Sequence, residues 1–308
     1  MTGAPLRAPV LWLTGLDPVR RFVTTSALGR RVALRFVAGE ALEDGISVAR
    51  RLNARGVGAM LDHLGENVTS ETRAIAVADH YALALKRIDE AGEVDCNISI
   101  KLTQLGLDLS LDLCQENADR VLSVAAERGT LVMIDMESSE YVDRTLDVLG
   151  RLRRSHERVG VALQSSLYRT ADDVFRLPEA VPVRLVKGAY LEPADVAHRR
   201  RADVDRSFAR LFVTLFERGH EIHVATHDPR LLEGACRVVD RHGGWDRVEL
   251  QMLYGIRRDL QTGYASEGRP VRTYIPYGDQ WYPYLTRRLA ERPANLWFFA
   301  SNVLRRGG

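Results

Sequence analysis

A (β/α)8 barrel of the TIM type, preceded by N-terminal helical segments, is the fold class this sequence predicts, and three observations predict it. Strand-like and helix-like stretches alternate from Val57 almost to the end, without a long linker, a low-complexity segment or a charge block. Eight alternations fill roughly 240 residues, the size and rhythm of a closed parallel barrel and not of a doubly wound sheet. The residues at the C-terminal ends of the strand runs are unusually polar: Glu66, Lys101, Asp135, Gln164, Arg184 with Lys187, Thr226 with His227, Gln251 and Tyr274. Such barrels place their chemistry at those ends.

Taken in order, Asp17 and Pro18 read as an N-cap and a first helical residue, and Val19, Phe22, Val23, Ala27 and Leu28 keep helical spacing. A folded helix explains this Arg-rich, acid-poor start better than a transit peptide does. Strands are expected at Val57–His63, Asn97–Leu102, Leu131–Met136, Val159–Gln164, Val183–Lys187, His223–His227, Val248–Leu253 and Val271–Ile275. Helical patterns fill the gaps, among them Glu71–Glu90, Asp112–Arg128, Tyr141–His156, Asp195–Arg218 and Pro229–His242. Residues 1–56 are therefore expected to be a helical segment packing on the barrel, and residues 57–308 the barrel with a C-terminal helix that binds substrate, one domain overall.

Alternation along the strands assigns faces. Ile98, Ile100 and Leu102 share one face, which turns Ser99 and Lys101 inward; the same rule sets Asp135 opposite Ile134 and Met136, and Arg184 opposite Leu185 and Lys187. Three charged residues then point into one mouth.

Composition narrows the function. With 308 residues, 45% hydrophobic and 27% charged, the chain can bury a sizeable core. Lys and Arg total 43 against 41 for Asp and Glu, and a formal charge of +2 offers no field for nucleic acid or an acidic membrane, so the partner is a small molecule. No apolar run is long enough to span a bilayer, so any membrane contact is peripheral. Cys96, Cys114 and Cys236 are odd in number and widely spaced, which fits a reducing compartment, the cytoplasm by default. No metal is expected: His220, His223 and His227 lie on or beside one strand, where residues four apart are about 13 Å apart, and the string HEIH is one residue short of a zincin motif.

Near the C-terminus Tyr284, Arg287, Arg288 and Glu291 recur at i, i+3, i+4 and i+7, forming one helix face beside the apolar Tyr282, Leu285 and Leu289. A paired guanidinium fork suits a small carboxylate, although an ordinary solvated face has the same spacing. Lys101 admits a structural pair with Asp135, contact with a substrate carboxylate, or a Schiff-base role; an anionic ligand favours the first two. Thr226 to Pro229 lead from a strand end into a capped helix whose N-terminus suits phosphate, in competition with the negative Asp228 cap. Gly188 and Ala189 let a flat ligand approach the backbone, with Arg184 and Lys187 as donors. There is no P-loop and no complete dinucleotide fingerprint, so any nucleotide cofactor sits on the barrel itself.

With these residues assembled, the chain closely resembles the proline dehydrogenase family in its single-function bacterial form. The matching strings are LGE at Leu64–Glu66, ISIKL at Ile98–Leu102, IDME at Ile134–Glu137, RLVKGAY at Arg184–Tyr190, ATHD at Ala225–Asp228, QMLYG at Gln251–Gly255 and YPYLTRRLAERPAN at Tyr282–Asn295. The resemblance runs from about Phe36 to Phe299. It implies a distorted barrel holding noncovalent FAD, which oxidises L-proline to Δ1-pyrroline-5-carboxylate by hydride transfer to flavin N5 and passes electrons to a membrane quinone. It also implies that Arg287, Arg288 and Lys101 bind the proline carboxylate, Glu291 orients the guanidinium pair, and Tyr190, Leu253, Tyr274 and Tyr284 enclose the ring, with Asp135 holding Tyr274. For the flavin it implies Arg184 near N5, Gln164 and Met136 along the isoalloxazine edge, Lys187, Gly188 and Ala189 on backbone and ring, and Thr226 with His227 toward the pyrophosphate. Glu66 and Arg287 match a gating pair. Leu191 departs from the tryptophan of the larger bifunctional relatives, and a chain of this length lacks their aldehyde dehydrogenase module, so the second oxidation falls to another protein. Two rival functions use the same residues: a Schiff-base lyase on Lys101, and an amino-acid sensor that binds without turnover.

Overall fold

The structure, a computed structural model, describes residues 21, 23–26, 29 and 33–291, with 287–291 described in backbone only. Helix α1 (Leu42–Asn53) leads into β1 (Gly58–His63), and the alternation continues through α2 (Glu71–Glu90), β2 (Cys96–Ile100), α3 (Leu111–Ala126), β3 (Val132–Ile134), a 3-10 turn (Ser139–Tyr141) and α4 (Val142–Leu152). It proceeds through β4 (Val159–Gln164), α5 (Thr170–Arg176), β5 (Val183–Val186), α6 (Arg201–Glu217), β6 (Ile222–Ala225), α7 (Pro229–His242), β7 (Val248–Leu253), α8 (Arg258–Ser266), β8 (Val271–Tyr277) and α9 (Trp281–Glu291). All strand pairings are parallel and β8 returns to β1, closing an eight-stranded barrel. The expected N-cap at Asp17 and Pro18 lies outside the described residues, as do Val19, Phe22, Ala27 and Leu28.

Local chemistry starts the helices where the sequence says. Ser70 accepts from Arg73 N and Ser110 from Leu113 N, and Asp228 accepts from Arg230 N at 3.2 Å with Pro229 at the first helical position. The main core lies between strands and helices, where Leu61, Ile98, Ile100, Val132, Ile134, Val161, Leu185 and Val224 face outward onto the helical ring. Helix α1 joins this core through Leu42, Ile46, Val48 and Ala49.

Several boundaries differ from expectation, and at β2, β3, β6 and α6 the difference has a hydrogen-bonding cause. β2 stops at Ile100 and not Leu102 because the Lys101 and Leu102 carbonyls accept from Gln104 N and Leu105 N in a tight turn. β3 ends at Ile134 because beyond Asp135, whose N–H still bonds to Ile100 O, the Glu137 carbonyl is taken by the Gln164 side chain. β5 and β6 end at Val186 and Ala225, and Thr226 Oγ1 accepts from Asp228 N in the turn that begins α7. Helix α6 begins at Arg201 and not Asp195: Tyr168 N donates to Val196 O and His198 N to Ser166 O, so this stretch pairs with the loop after β4. β8 runs on to Tyr277, opposite His63.

Candidate functional site

Inside the barrel each strand turns alternate side chains toward the axis, and the inward set is polar. Nearest the N-terminal ends, Arg272 of β8 donates to Glu249 at 2.9 Å and to Asp95 at 2.8 Å. One step up, Gln251 of β7 donates to His223 Nδ1 at 2.5 Å and accepts from Arg184 Nε at 3.0 Å. Arg184 of β5 also donates to Ser99 Oγ at 3.2 Å and to Asp135 Oδ1, touches Met60 Sδ, and lies over the Tyr274 ring, 5.1 Å from its centroid. His220, His223 and His227 go to separate places: His220 to Val181 O, His223 inside the barrel, and His227 Nε2 to the N–H of Leu253.

The mouth itself is a buried charge cluster. Lys101 Nζ donates to Asp62 Oδ1 at 2.5 Å and pairs with Asp135 Oδ2 at 3.2 Å. Asp135 accepts from Ser99 Oγ at 2.8 Å and from Tyr274 OH at 2.7 Å. Burial favours a neutral Lys101, but attraction to Asp62, then Tyr274 and Asp135, holds its pKa well above the ordinary value. Burial also pushes Asp135 upward, and Lys101 and Arg184 overcome it, leaving that carboxyl below its ordinary range. Asp62 goes the other way, raised by burial against the pull of Lys101. Burial and Asp135 keep Tyr274 protonated far above neutral pH, so it serves as a donor.

Sequence reasoning assigned no role to Asp62, nor to Glu137 at the end of the IDME string. Alternation from Met60 along β1 would have turned Asp62 inward, the signal that found Lys101. Glu137, 4% exposed, accepts from Thr103 N at 3.1 Å and Thr103 Oγ1 at 2.7 Å. Burial pushes its pKa up to about 7, partly opposed by the Thr103 hydrogen bonds.

Beside this cluster is a cradle suited to a flat ligand. Gln164 Nε2 donates to Glu137 O at 2.7 Å, while its buried Oε1 has no hydrogen-bond partner among the described residues. An orphaned carbonyl oxygen in a polar pocket calls for a ligand N–H. Gly188, at φ +109°, faces the same atom: an added Cβ would lie 2.9 Å from Gln164 Oε1 and within van der Waals overlap of Ser166 Oγ. An isoalloxazine edge, which carries a ring N–H, fits this donor demand. Met136 is buried next to Glu137, and Ala189 and Tyr190 continue the half-buried segment after Gly188.

Farther out, Lys187 pairs with Asp205 and with Asp228 at 3.2 Å, and Asp228 also takes Arg201 and Arg230, each at 3.2 Å. Although burial opposes it, these donors, led by Arg230, hold the Asp228 carboxyl well below its usual range. Three cations against two carboxylates leave the α7 N-terminus electropositive despite its acidic cap, which favours a diphosphate there. A cavity of about 540 Å³ lined by Arg201, Arg206, Arg230, Asp205 and Leu231 opens at this point.

Helix α9 closes on the mouth. Tyr282, Tyr284 and Leu285 pack in one cluster with Leu64, which precedes Glu66 by two residues, and with Leu253 at the end of β7. Glu66 is half-buried on the loop after β1. Arg287, Arg288 and Glu291 lie on the last turns of α9 in backbone, and their side chains fall outside the described residues.

Comparison with known proteins is consistent over most of the chain. The family model described as Proline dehydrogenase matches residues 46–301. The proline dehydrogenase of Deinococcus radiodurans is 42% identical over 281 residues, covering 89% of this chain and 90% of the relative. Proline dehydrogenase 1 of Bacillus subtilis subsp. natto is 38% identical over 304 residues, covering 98% of this chain and 100% of the relative. In shape, the crystal structure of proline utilization A from Bdellovibrio bacteriovorus inactivated by N-propargylglycine superposes with a TM-score of 0.79 at 22% identity, over 92% of this chain and 36% of that one. This chain thus spans about a third of that protein and shares its barrel fold.

Proposed function

The chain belongs to the proline dehydrogenase family, and from that premise we propose that it holds FAD in the barrel mouth and oxidises L-proline to Δ1-pyrroline-5-carboxylate, the first step of proline catabolism to glutamate. The observation that carries the site assignment is the buried cluster of Lys101, Asp135, Arg184 and Tyr274 next to the unpartnered Gln164 Oε1. When bound, FAD supplies the acceptor for the hydride that leaves the carbon next to the ring nitrogen.

Everything else falls to the protein. Asp62 and Asp135 balance Lys101 and Arg184, so this cluster has little net charge with which to attract a carboxylate. We assign the added cations to Arg287 and Arg288 of α9, which in this reading clamp the proline carboxylate together with the remaining N–H of Lys101, with Glu291 orienting them. Tyr274, Tyr284, Tyr190 and Leu253 wall the ring, and Asp135 fixes Tyr274 by accepting from its hydroxyl. Arg184 lies among buried acceptors where it stabilises negative charge that develops on the cofactor side. Gln164, Met136, Lys187, Gly188 and Ala189 hold the flavin ring, and Thr226 and His227 face its diphosphate at the α7 N-terminus. Glu66 pairs with Arg287 as a gate. The amine must be uncharged for hydride to leave, and no residue is assigned as obligatory base. Residues before Val57 and the barrel with α9 act as one domain.

Electrons then pass to a quinone and the product to a separate aldehyde dehydrogenase. Among the described residues no helix is long and apolar enough to cross a membrane; a cytoplasmic enzyme would meet a membrane quinone by peripheral contact with the inner membrane. The Schiff-base alternative is disfavoured because two carboxylates keep Lys101 as an ammonium, which is no nucleophile. The decisive experiment is the visible spectrum: purified protein should be yellow, and anaerobic L-proline should bleach it. Colourless protein that takes up no FAD refutes the assignment; binding of proline without dye reduction replaces it with a sensor.

A further inference from the structure

We propose that Asp62 is a positioning residue for substrate binding, acting through Lys101: it anchors the ammonium on the β1 wall and so aims the remaining N–H at the space above the mouth. This role rests on the reaction proposed above. The two side chains come from different strands and are nearly sealed from solvent, 2% exposed for Asp62 and 8% for Lys101. A carboxylate in such a place persists only with a partner that compensates its desolvation. Lys101 has three donors, of which Asp62 takes one at 2.5 Å and Asp135 another at 3.2 Å.

Asp135 cannot fix the ammonium alone, because its oxygens are shared with Ser99, Arg184 and Tyr274. Asp62 provides the shorter contact, and from β1, on the other side of β2 from Asp135. Lys101 is thereby held between β1 and the end of β3, and among the described residues its third hydrogen is unspent. Removing the Asp62 charge would let the ammonium collapse onto Asp135 and withdraw that donor from the substrate carboxylate. Among the described residues the groups that favour the Lys101 ammonium are led by Asp62 from β1, then Tyr274 from β8, Asp135 after β3 and Tyr81 from α2; Glu137 and His63 also lie within reach of its charge.

The test is steady-state proline kinetics on flavin-loaded enzyme for wild type, Asp62→Asn, Lys101→Met and the double variant Asp62→Leu with Lys101→Met. Loss of one charge-assisted hydrogen bond should raise KM about tenfold in Asp62→Asn while kcat changes much less. With one carboxylate gone, kcat/KM should also acquire an alkaline limb that wild type lacks, as Lys101 loses its proton; a merely structural role moves stability and not this limb. The double variant should have the KM of Lys101→Met. The proposal is overturned if Asp62→Asn keeps the wild-type KM and pH profile, or if the two losses multiply instead of merging. Where Asp62→Asn does not fold, Asp62→Glu, which keeps the charge and shifts the anchor by one methylene, replaces it: a raised KM with kcat nearly kept upholds the role, and an unchanged KM overturns it. Wild type that reduces no dye with proline overturns the parent reaction as well, an outcome separate from any difference between variants.

Discussion

Replacing Glu137 with Gln should stabilise the protein at alkaline pH and weaken it modestly in acid. The Glu137 carboxyl is buried at the mouth, and its ordinary value of 4.5 is pushed up to about 7 in the folded chain, chiefly by burial, with Glu66 adding repulsion and Thr103 and Lys101 opposing. The sign follows from proton counts. Below pH 4.5 both folded and unfolded chains hold the proton; between 4.5 and 7 only the folded chain does, so stability falls as pH rises; above 7 the full cost is present. At about 1.4 kcal/mol per unit, a shift of about 2.5 units amounts to about 3 kcal/mol. Gln keeps the acceptor for Thr103 N but turns the Thr103 Oγ1 bond around, and that oxygen already accepts from Asn67 N at 3.1 Å. Oγ1 then accepts twice and its own hydrogen loses its acceptor, at a cost of about 1 kcal/mol. The variant should therefore be less stable by about 1 kcal/mol near pH 4.5 and more stable by about 2 kcal/mol at pH 8. Urea unfolding of wild type and variant at matched pH values gives the difference, in which every other titrating group cancels. A difference that stays flat between pH 5 and pH 8 would refute the assignment of this titration to Glu137. Flavin content should not change, because Gln164 contacts the Glu137 backbone carbonyl and not its side chain.

Arg288→Lys should raise KM for proline by about tenfold or more, since a point charge cannot replace a bidentate fork; an unchanged KM removes Arg288 from the clamp. Gly188→Ala should purify with little flavin, read as the ratio of visible to protein absorbance, because its Cβ meets Ser166 Oγ and its φ of +109° disfavours a side chain; full flavin content would show that the ring lies elsewhere. The chemistry-limited rate should climb with pH across the neutral range as the bound amine loses its proton, and a flat profile would contradict an uncharged-amine mechanism.

Much of the site was legible before any coordinates because barrel strands obey a local rule. Period-two alternation turned Lys101, Asp135 and Arg184 inward, and all three meet in one network. The same rule was not carried back to β1, so Asp62 escaped notice, although it makes the shortest contact to Lys101. Boundaries were read least well at Lys101, Asp135 and the start of α6, where loop carbonyls and side chains compete for backbone hydrogen bonds with partners that no local pattern names.

The sequence by itself determined the alternating architecture, the helix start at Asp228 and Pro229, and which strand residues face the axis. Each depends on neighbours within one turn or one pleat. Only the tertiary structure decided that Lys101 pairs with Asp62 across 39 residues, that Gln251 links Arg184 to His223, that Glu137 titrates near neutral pH and that Gln164 is left with an unmet acceptor. Closure of β8 onto β1 sets the strand register, and register together with the exclusion of water fixes which charges meet and how strongly.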